Sequence, residues 1–208
     1  AVRNPDDRQM TTDEVIAAAD GMDAVFVCTT EKLDAAAMAA LPDSVKAVLT
    51  LSVGTDHLDL DAAKARGVAV LTTPDVLTDA TAEIAMLLLL GAARGAHAAS
   101  SVMRRGEWQR FDPTGFIGKD VTGGRLGIYG MGRIGRAIAR NARGFGMQVH
   151  YHNRSRLGAE DESGASYHAD ARDLLAVSEF LVLSAPSTPE TRGFLDAAAI
   201  AAMPEGAV

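Results

Sequence analysis

Cysteine is all but missing from this chain. Cys28 is the single one in 208 residues, so no disulfide can close within the chain, and a reducing, cytoplasmic setting is the natural expectation. Positive charge is in deficit as well: a net charge of −7 argues against a general nucleic-acid binder. No apolar run reaches membrane-spanning length. The longest, Ile84 to Ala93, is closed by Glu83 and Arg94, so a buried helix is expected there and no membrane association. The polar, partly acidic start AVRNPDDRQMTT does not resemble a targeting segment, and no internal repeat or low-complexity tract stands out. Metal-ligand spacing is missing too. His150 and His152 share one face of a strand, but no cysteine or carboxylate pattern completes a site, so no metal is expected.

What is present is an ordinary globular composition, 48% hydrophobic and 23% charged, which can bury a core. The stretch that organises it runs from Gly124 to Gly146, GRLGIYGMGRIGRAIARNARGFG. It reads as a strand (Leu126 to Tyr129), a turn carrying Gly130, Gly132 and Gly135, and a helix with Ile134, Ala137, Ile138 and Ala142 at helical spacing. In a dinucleotide-binding unit each glycine has its own reason. Gly130 allows the tight turn, Gly132 lets backbone approach a pyrophosphate, and Gly135 lets helix pack closely on strand. The anion would sit on the N–H groups and positive dipole end of the helix beginning near Arg133.

A second strand, Gln148 to His152, ends at Asn153-Arg154-Ser155-Arg156. An NAD site places Asp or Glu about 20 residues past the glycines to hold the ribose 2′-hydroxyl, and an NADP site replaces it with groups that accept a phosphate. Asn153 removes the carboxylate that would repel a 2′-phosphate, while Arg154, Ser155 and, as a further candidate, Arg156 offer donors to it. The expected cofactor is NADP, with NAD possible; a solvated basic loop is the alternative reading.

Upstream, helices and apolar strands alternate. A helix with an acidic first turn opens at Thr12 and runs through about Ala19, followed by a strand at Ala24 to Thr29 and a helix at Asp34 to Leu41. A strand at Lys46 to Leu51, a loop at Ser52 to Leu58, a helix from Leu60 to Arg66 between Asp59 and Gly67, and a strand at Val68 to Leu71 follow. Strands apolar throughout predict a parallel sheet covered on both faces, an α/β unit of its own. One long helix, Asp79 to about Ala98, is apolar enough that it should be buried. The irregular segment Met103 to Val121 is expected to pack down through Trp108, Phe111 and Phe116. Beyond the second strand, Gly158 to Gly164 reads as a loop, Asp170 to Ala176 as a helix, Phe180 to Ser184 as a strand and Ala197 to Met203 as a final helix. The turn Ala185 to Pro189 should face the same crevice as Gly132 and Asn153.

Four stretches in this order resemble the D-isomer-specific 2-hydroxyacid dehydrogenases: SVGTDHLDL from Ser52, TPDVLTDATAE from Thr73, LGIYGMGRIGRAIA from Leu126 and SAPSTPETRGFL from Ser184. Within that family HYHNRSR, from His150, looks most like the NADPH-using glyoxylate and hydroxypyruvate reductases. The resemblance implies an α/β fold of two doubly wound parallel-sheet domains, both incomplete: a flavodoxin-like substrate domain over residues 1–97 and a Rossmann cofactor domain over 98–208. It also implies a cleft between them, a homodimer, and hydride transfer between NADPH and a short 2-keto acid or D-2-hydroxy acid. By the same resemblance the backbone N–H groups of Val53 and Gly54 take the substrate carboxylate, and Thr81 approaches the nicotinamide end. Arg133 and Ile134 contact pyrophosphate, and Pro186 and Thr191 line the adenosine side.

The departure from the family lies at the end. Its catalytic Arg, His and Glu follow the strand that Ala207-Val208 would begin, and none of the five histidines here stands at the matching position. No catalytic residue is therefore assigned; the chain looks cut at both ends and is expected to be inactive alone. His57 reads as a surface or packing residue. Two alternatives keep the scaffold: a dinucleotide-sensing, non-catalytic binding protein, and a formate- or phosphite-type dehydrogenase.

Overall fold

The computed structural model describes residues 4, 6 and 8–208, so most of the first few residues of the polar start lie outside it. The chain divides into two compact units, Ala1–Val76 and Leu77–Val208.

The first unit runs α1 (Thr12–Ala18), β1 (Ala24–Val27), α2 (Ala35–Ala40), β2 (Ala47–Thr50), α3 (Leu60–Ala65) and β3 (Ala69–Leu71). The strands form a parallel sheet in the order β1-β2-β3. Local chemistry sets the helix ends. Thr11 and Glu14 close a capping box one residue before the expected start, and Asp34 and Asp59 cap α2 and α3. Gly67, at φ +69°, stops α3. All three helices contribute to one core, through Val15, Met38 and Ala63 against Val27 and Val48. Among the described residues of this unit the helices cover one sheet face, where two covered faces were expected: Phe26 and Leu71, which pair with Leu49 on the other face, are 61% and 51% exposed.

The second unit runs α4 (Thr78–Ala93), α5 (Ala96–Arg104), β4 (Arg125–Tyr129), α6 (Arg133–Arg143), β5 (Gln148–His152), α7 (Ala159–Glu162), β6 (Ser166–Tyr167), α8 (Ala171–Val177), β7 (Phe180–Leu183) and α9 (Ala197–Ala201). Its parallel sheet has the order β6-β5-β4-β7. The division after Val76 differs from the expected one at 97/98 because Ala82, Met86, Leu89 and Ala93 of α4 share a core with Ala137, Ile138 and Ala142 of α6. The expected single long helix is broken at Gly95, which sits at φ +61° and turns the chain by 74° into α5. Nor is α4 buried all round. Ile84, Leu87 and Leu88 lie away from its core stripe and stay more than half exposed. Trp108 and Phe111 also stand out from the following segment, at 56% and 79% exposure, instead of packing it down. The expected loop at 158–164 contains α7, and the two-residue β6 beyond it is too short to show a period in sequence. Among the described residues no single helix is long and apolar enough to cross a membrane.

Candidate functional site

In the second unit β5 and β6 lie on one side of β4 and β7 on the other, so the chain reverses direction across the sheet at β4. Open parallel sheets bind ligands outside the strand carboxyl ends at such a point. The three glycines after β4 do three different things. Gly130 has φ +98°, and a Cβ there would lie 2.6 Å from Ala185 Cα and closer still to its nitrogen, so the loops after β4 and β7 touch through it. At Gly135 a Cβ would strike the carbonyl oxygen of Gly130 and press within 3.2 Å of Ile128 Cγ2. Gly132 has nothing within 4 Å of its Cβ position. It is also the N-cap of α6 and supplies no side-chain cap. The N–H groups of Gly132, Ile134 and Gly135 make no hydrogen bond among the described residues. Open space above unpartnered N–H donors at the positive end of a helix fits a pyrophosphate.

Asn153 directly follows β5, and its Oδ1 accepts from the Met131 N–H at 2.7 Å. The side chain thus ties the strand to the glycine turn and keeps only its NH₂ for a ligand. Arg154 and Ser155 are exposed beside it. Glu190, in the loop after β7, has its carboxyl pKa lowered, first by the Thr188 hydroxyl and least by the charge of Arg154.

Arg156, the further candidate for the phosphate, turns two of its three nitrogens toward a carboxylate of the chain itself. Its guanidinium grips Glu162 through two bonds of 2.8 and 3.1 Å, and Tyr151 OH donates to the same carboxylate at 2.6 Å. Arg156 first and Tyr151 second hold the Glu162 carboxyl at about 2. Tyr151 OH in turn accepts from the Leu157 N–H at 3.0 Å, so this triad shapes the loop that carries Arg154.

Thr191 Oγ1 donates to the Pro186 carbonyl at 2.6 Å and accepts from the Thr188 N–H at 2.8 Å, knitting the turn after β7; Pro186 itself is exposed. Thr81 is half-buried in the first turns of α4, and Arg133 is exposed at the start of α6. Sequence reading missed a stack at the sheet's carboxyl edge: Tyr129 lies between Phe194 and His152, at centroid distances of 4.0 and 5.3 Å. The alternation of β4 and β5 carries the signal, since Tyr129 pairs with His152 in register.

In the first unit, the loop after β2 carries Val53 and Gly54. Neither backbone N–H has a partner among the described residues, whereas the carbonyls around them are tied down. Ser52 Oγ donates to the Gly54 carbonyl at 2.7 Å, and the Ser52 carbonyl accepts from the Thr73 N–H at 3.0 Å. Two such donors on a fixed loop can take a carboxylate. His57 is 6% exposed, so it is no surface residue, and its Nε2 meets Thr50 Oγ1 at 2.8 Å.

The glycine turn on its parallel sheet defines the second unit as a dinucleotide-binding unit of the Rossmann class. The chain belongs to the D-isomer specific 2-hydroxyacid dehydrogenase family: residues 86–208 match the family's NAD binding domain. Glycerate dehydrogenase of Hyphomicrobium methylovorum is 42% identical over 209 residues, covering 100% of this chain and 65% of that protein. Glyoxylate reductase of Thermococcus kodakarensis is 42% identical over 193 residues, covering 90% of this chain and 57% of its own length. Among solved structures, a D-isomer specific 2-hydroxyacid dehydrogenase from Polaromonas superposes with a TM-score of 0.90 at 48% identity, over 98% of this chain and 64% of that one. The glyoxylate reductase of Paecilomyes thermophila gives a TM-score of 0.86 at 34% identity, over 96% and 62%. The chain spans less than two thirds of the length of the curated relatives it matches.

Proposed function

We propose that the protein reduces a short 2-keto acid of the glyoxylate or hydroxypyruvate type with NADPH. The observation that carries the cofactor reading is the neutral Asn153, its oxygen already bound to Met131 N–H, with exposed Arg154 and Ser155 next in line. A ribose hydroxyl would find no carboxylate there, and a 2′-phosphate would find a guanidinium and a hydroxyl. When bound, the nicotinamide supplies a hydride to the C2 carbonyl. The chain's own residues bind and orient: the N–H groups of Gly132, Ile134 and Gly135 take the pyrophosphate, Arg133 and Thr81 flank the cofactor, and Pro186 and Thr191 shape the adenosine side. Val53 and Gly54 hold the substrate carboxylate. No proton donor is assigned within residues 1–208. The names of the relatives, glycerate dehydrogenase and glyoxylate reductase, support this substrate class over a non-catalytic sensor. Initial rates of the full-length protein with glyoxylate and each cofactor test the reading. NADPH should be preferred, and Arg154→Ala should abolish the preference; equal or better use of NADH would overturn it.

A homodimer is proposed as well, supported by the uncovered apolar side of α4 at Ile84, Leu87 and Leu88. Light scattering on the full-length protein should give twice the chain mass, and Leu87→Glu should halve it.

A further inference from the structure

We propose that His57 is a positioning residue for substrate binding, one that works through a buried chain of hydroxyls to hold the Val53–Gly54 loop in its anion-accepting shape. This rests on the reading that the loop takes the substrate carboxylate. The chain is short and continuous: His57 Nε2 lies 2.8 Å from Thr50 Oγ1, Thr50 Oγ1 lies 2.9 Å from Ser52 Oγ, and Ser52 Oγ lies 2.7 Å from the Gly54 carbonyl. Thr50, Ser52 and His57 are each more than nine-tenths buried, so water does not compete for the two bonds among them.

The direction of every proton follows from counting donors. A carbonyl only accepts, so the single Ser52 hydroxyl hydrogen goes to Gly54. Ser52 Oγ must then accept from Thr50, which uses the one hydrogen of that hydroxyl. Thr50 Oγ1 must in turn accept from His57, so Nε2 carries the imidazole hydrogen. Nδ1 is left as a bare acceptor, in agreement with its having no partner among the described residues. The ring's own backbone is braced from the other side, because the His57 carbonyl accepts from the Leu33 N–H at 2.9 Å. A rigid donor at Nε2 therefore fixes the Gly54 carbonyl inward. The Ser52 carbonyl, which shares a peptide unit with the Val53 N–H, is held by the Thr73 N–H, and the Gly54 carbonyl closes the stretch on the other side, so the two anchored carbonyls bracket the Val53 and Gly54 N–H groups and keep them clear of internal partners.

The test uses the full-length protein with NADP⁺ bound and oxalate as the probe, a planar anion with a keto acid's carboxylate. Histidine ¹⁵N spectra should show His57 protonated at Nε2 alone. In the wild type, oxalate should shift the Val53 and Gly54 amide signals. His57→Leu and Ser52→Ala should raise the oxalate Kd and the glyoxylate KM by about tenfold, the worth of one buried hydrogen bond, with kcat and the NADPH KM unchanged. His57→Gln, which retains an N–H at similar reach, should restore most of the affinity. A His57 hydrogen on Nδ1, or a folded Ser52→Ala protein with wild-type oxalate affinity, would overturn the relay while leaving the carboxylate reading intact. Oxalate that leaves the Val53 and Gly54 amides unmoved in the wild type would overturn the carboxylate reading itself.

Discussion

Three alanine substitutions in one turn should have three different consequences. At Gly135 the added methyl meets the Gly130 carbonyl oxygen, which belongs to backbone and cannot rotate aside, and also presses on Ile128. Overpacking of this kind costs about 1–3 kcal/mol, and the cost falls at the upper end because the obstacle is backbone. Alanine recovers about 1 kcal/mol as the better helix former, leaving a net loss of about 1–2 kcal/mol. Gly130→Ala should be worse, since the φ of +98° adds strain to a collision with Ala185. Gly132→Ala should barely disturb the fold. Its φ is −79°, its Cβ position is empty, and the loss of a preferred N-cap residue is worth less than about 1 kcal/mol. Yet the same methyl enters the space the pyrophosphate needs, so NADPH affinity should fall by about a hundredfold or more, the scale of about 3 kcal/mol. Urea unfolding and NADPH fluorescence titration of the full-length variants measure the two axes separately. Gly132→Ala binding NADPH as tightly as the wild type, or losing as much stability as Gly135→Ala, would refute the assignment of roles.

Further expectations concern the loop after β5 and the histidines behind it. Asn153→Asp keeps the oxygen that Met131 N–H needs but adds a negative charge, so the ratio of NADPH to NADH affinity should drop by about tenfold or more, with an unchanged urea midpoint. Glu162→Gln should loosen the loop and weaken NADPH binding. Because the native carboxyl is held at about 2, its stabilisation is present above the ordinary carboxylate range and is lost as pH falls toward 2; that slope should vanish in the variant's acid-unfolding curve. His150 lies 3.0 Å from His168, and burial, then His168 and Arg125, lower its pKa. The unfolded chain therefore takes up that proton first. Stability should decline as pH drops below about 6.5, and His150→Gln should flatten the fall in urea midpoint between neutral and mildly acid buffer.

Much of this architecture was legible from short-range chemistry. The runs AVFV and FLVL are apolar at every position and AVLT at all but its last, Thr50, as parallel strands tend to be, and they sit where β1, β7 and β2 form. Asp59 and Gly67 bracket α3 because cap and stop are local hydrogen-bond problems. The break at Gly95 was hidden inside AARGAH, where helical periodicity continues across a residue that tolerates either hand of backbone. What covers the second face of the first sheet was not legible, because an apolar strand shows that a face can be buried, not which element covers it. At the candidate site, the glycine roles followed from spacing, but the fate of Arg156 depended on a partner six residues away on a helix read as loop. The His57 relay was illegible for the same kind of reason. Its bonds run between β2 and the loop beyond it and become visible only when donors are counted in three dimensions.

The bond from Met131 to Asn153 narrows what natural variation can do at the end of β5. One oxygen is owed to the turn whatever nucleotide is present, so a mutation that deletes it injures the scaffold before it alters any preference. Asparagine and aspartate both honour that debt and differ only in their second terminal atom, nitrogen in one and oxygen in the other. On the proposed cofactor reading, a lineage could thus drift between the two coenzymes through a single-atom exchange, without ever passing through a broken intermediate.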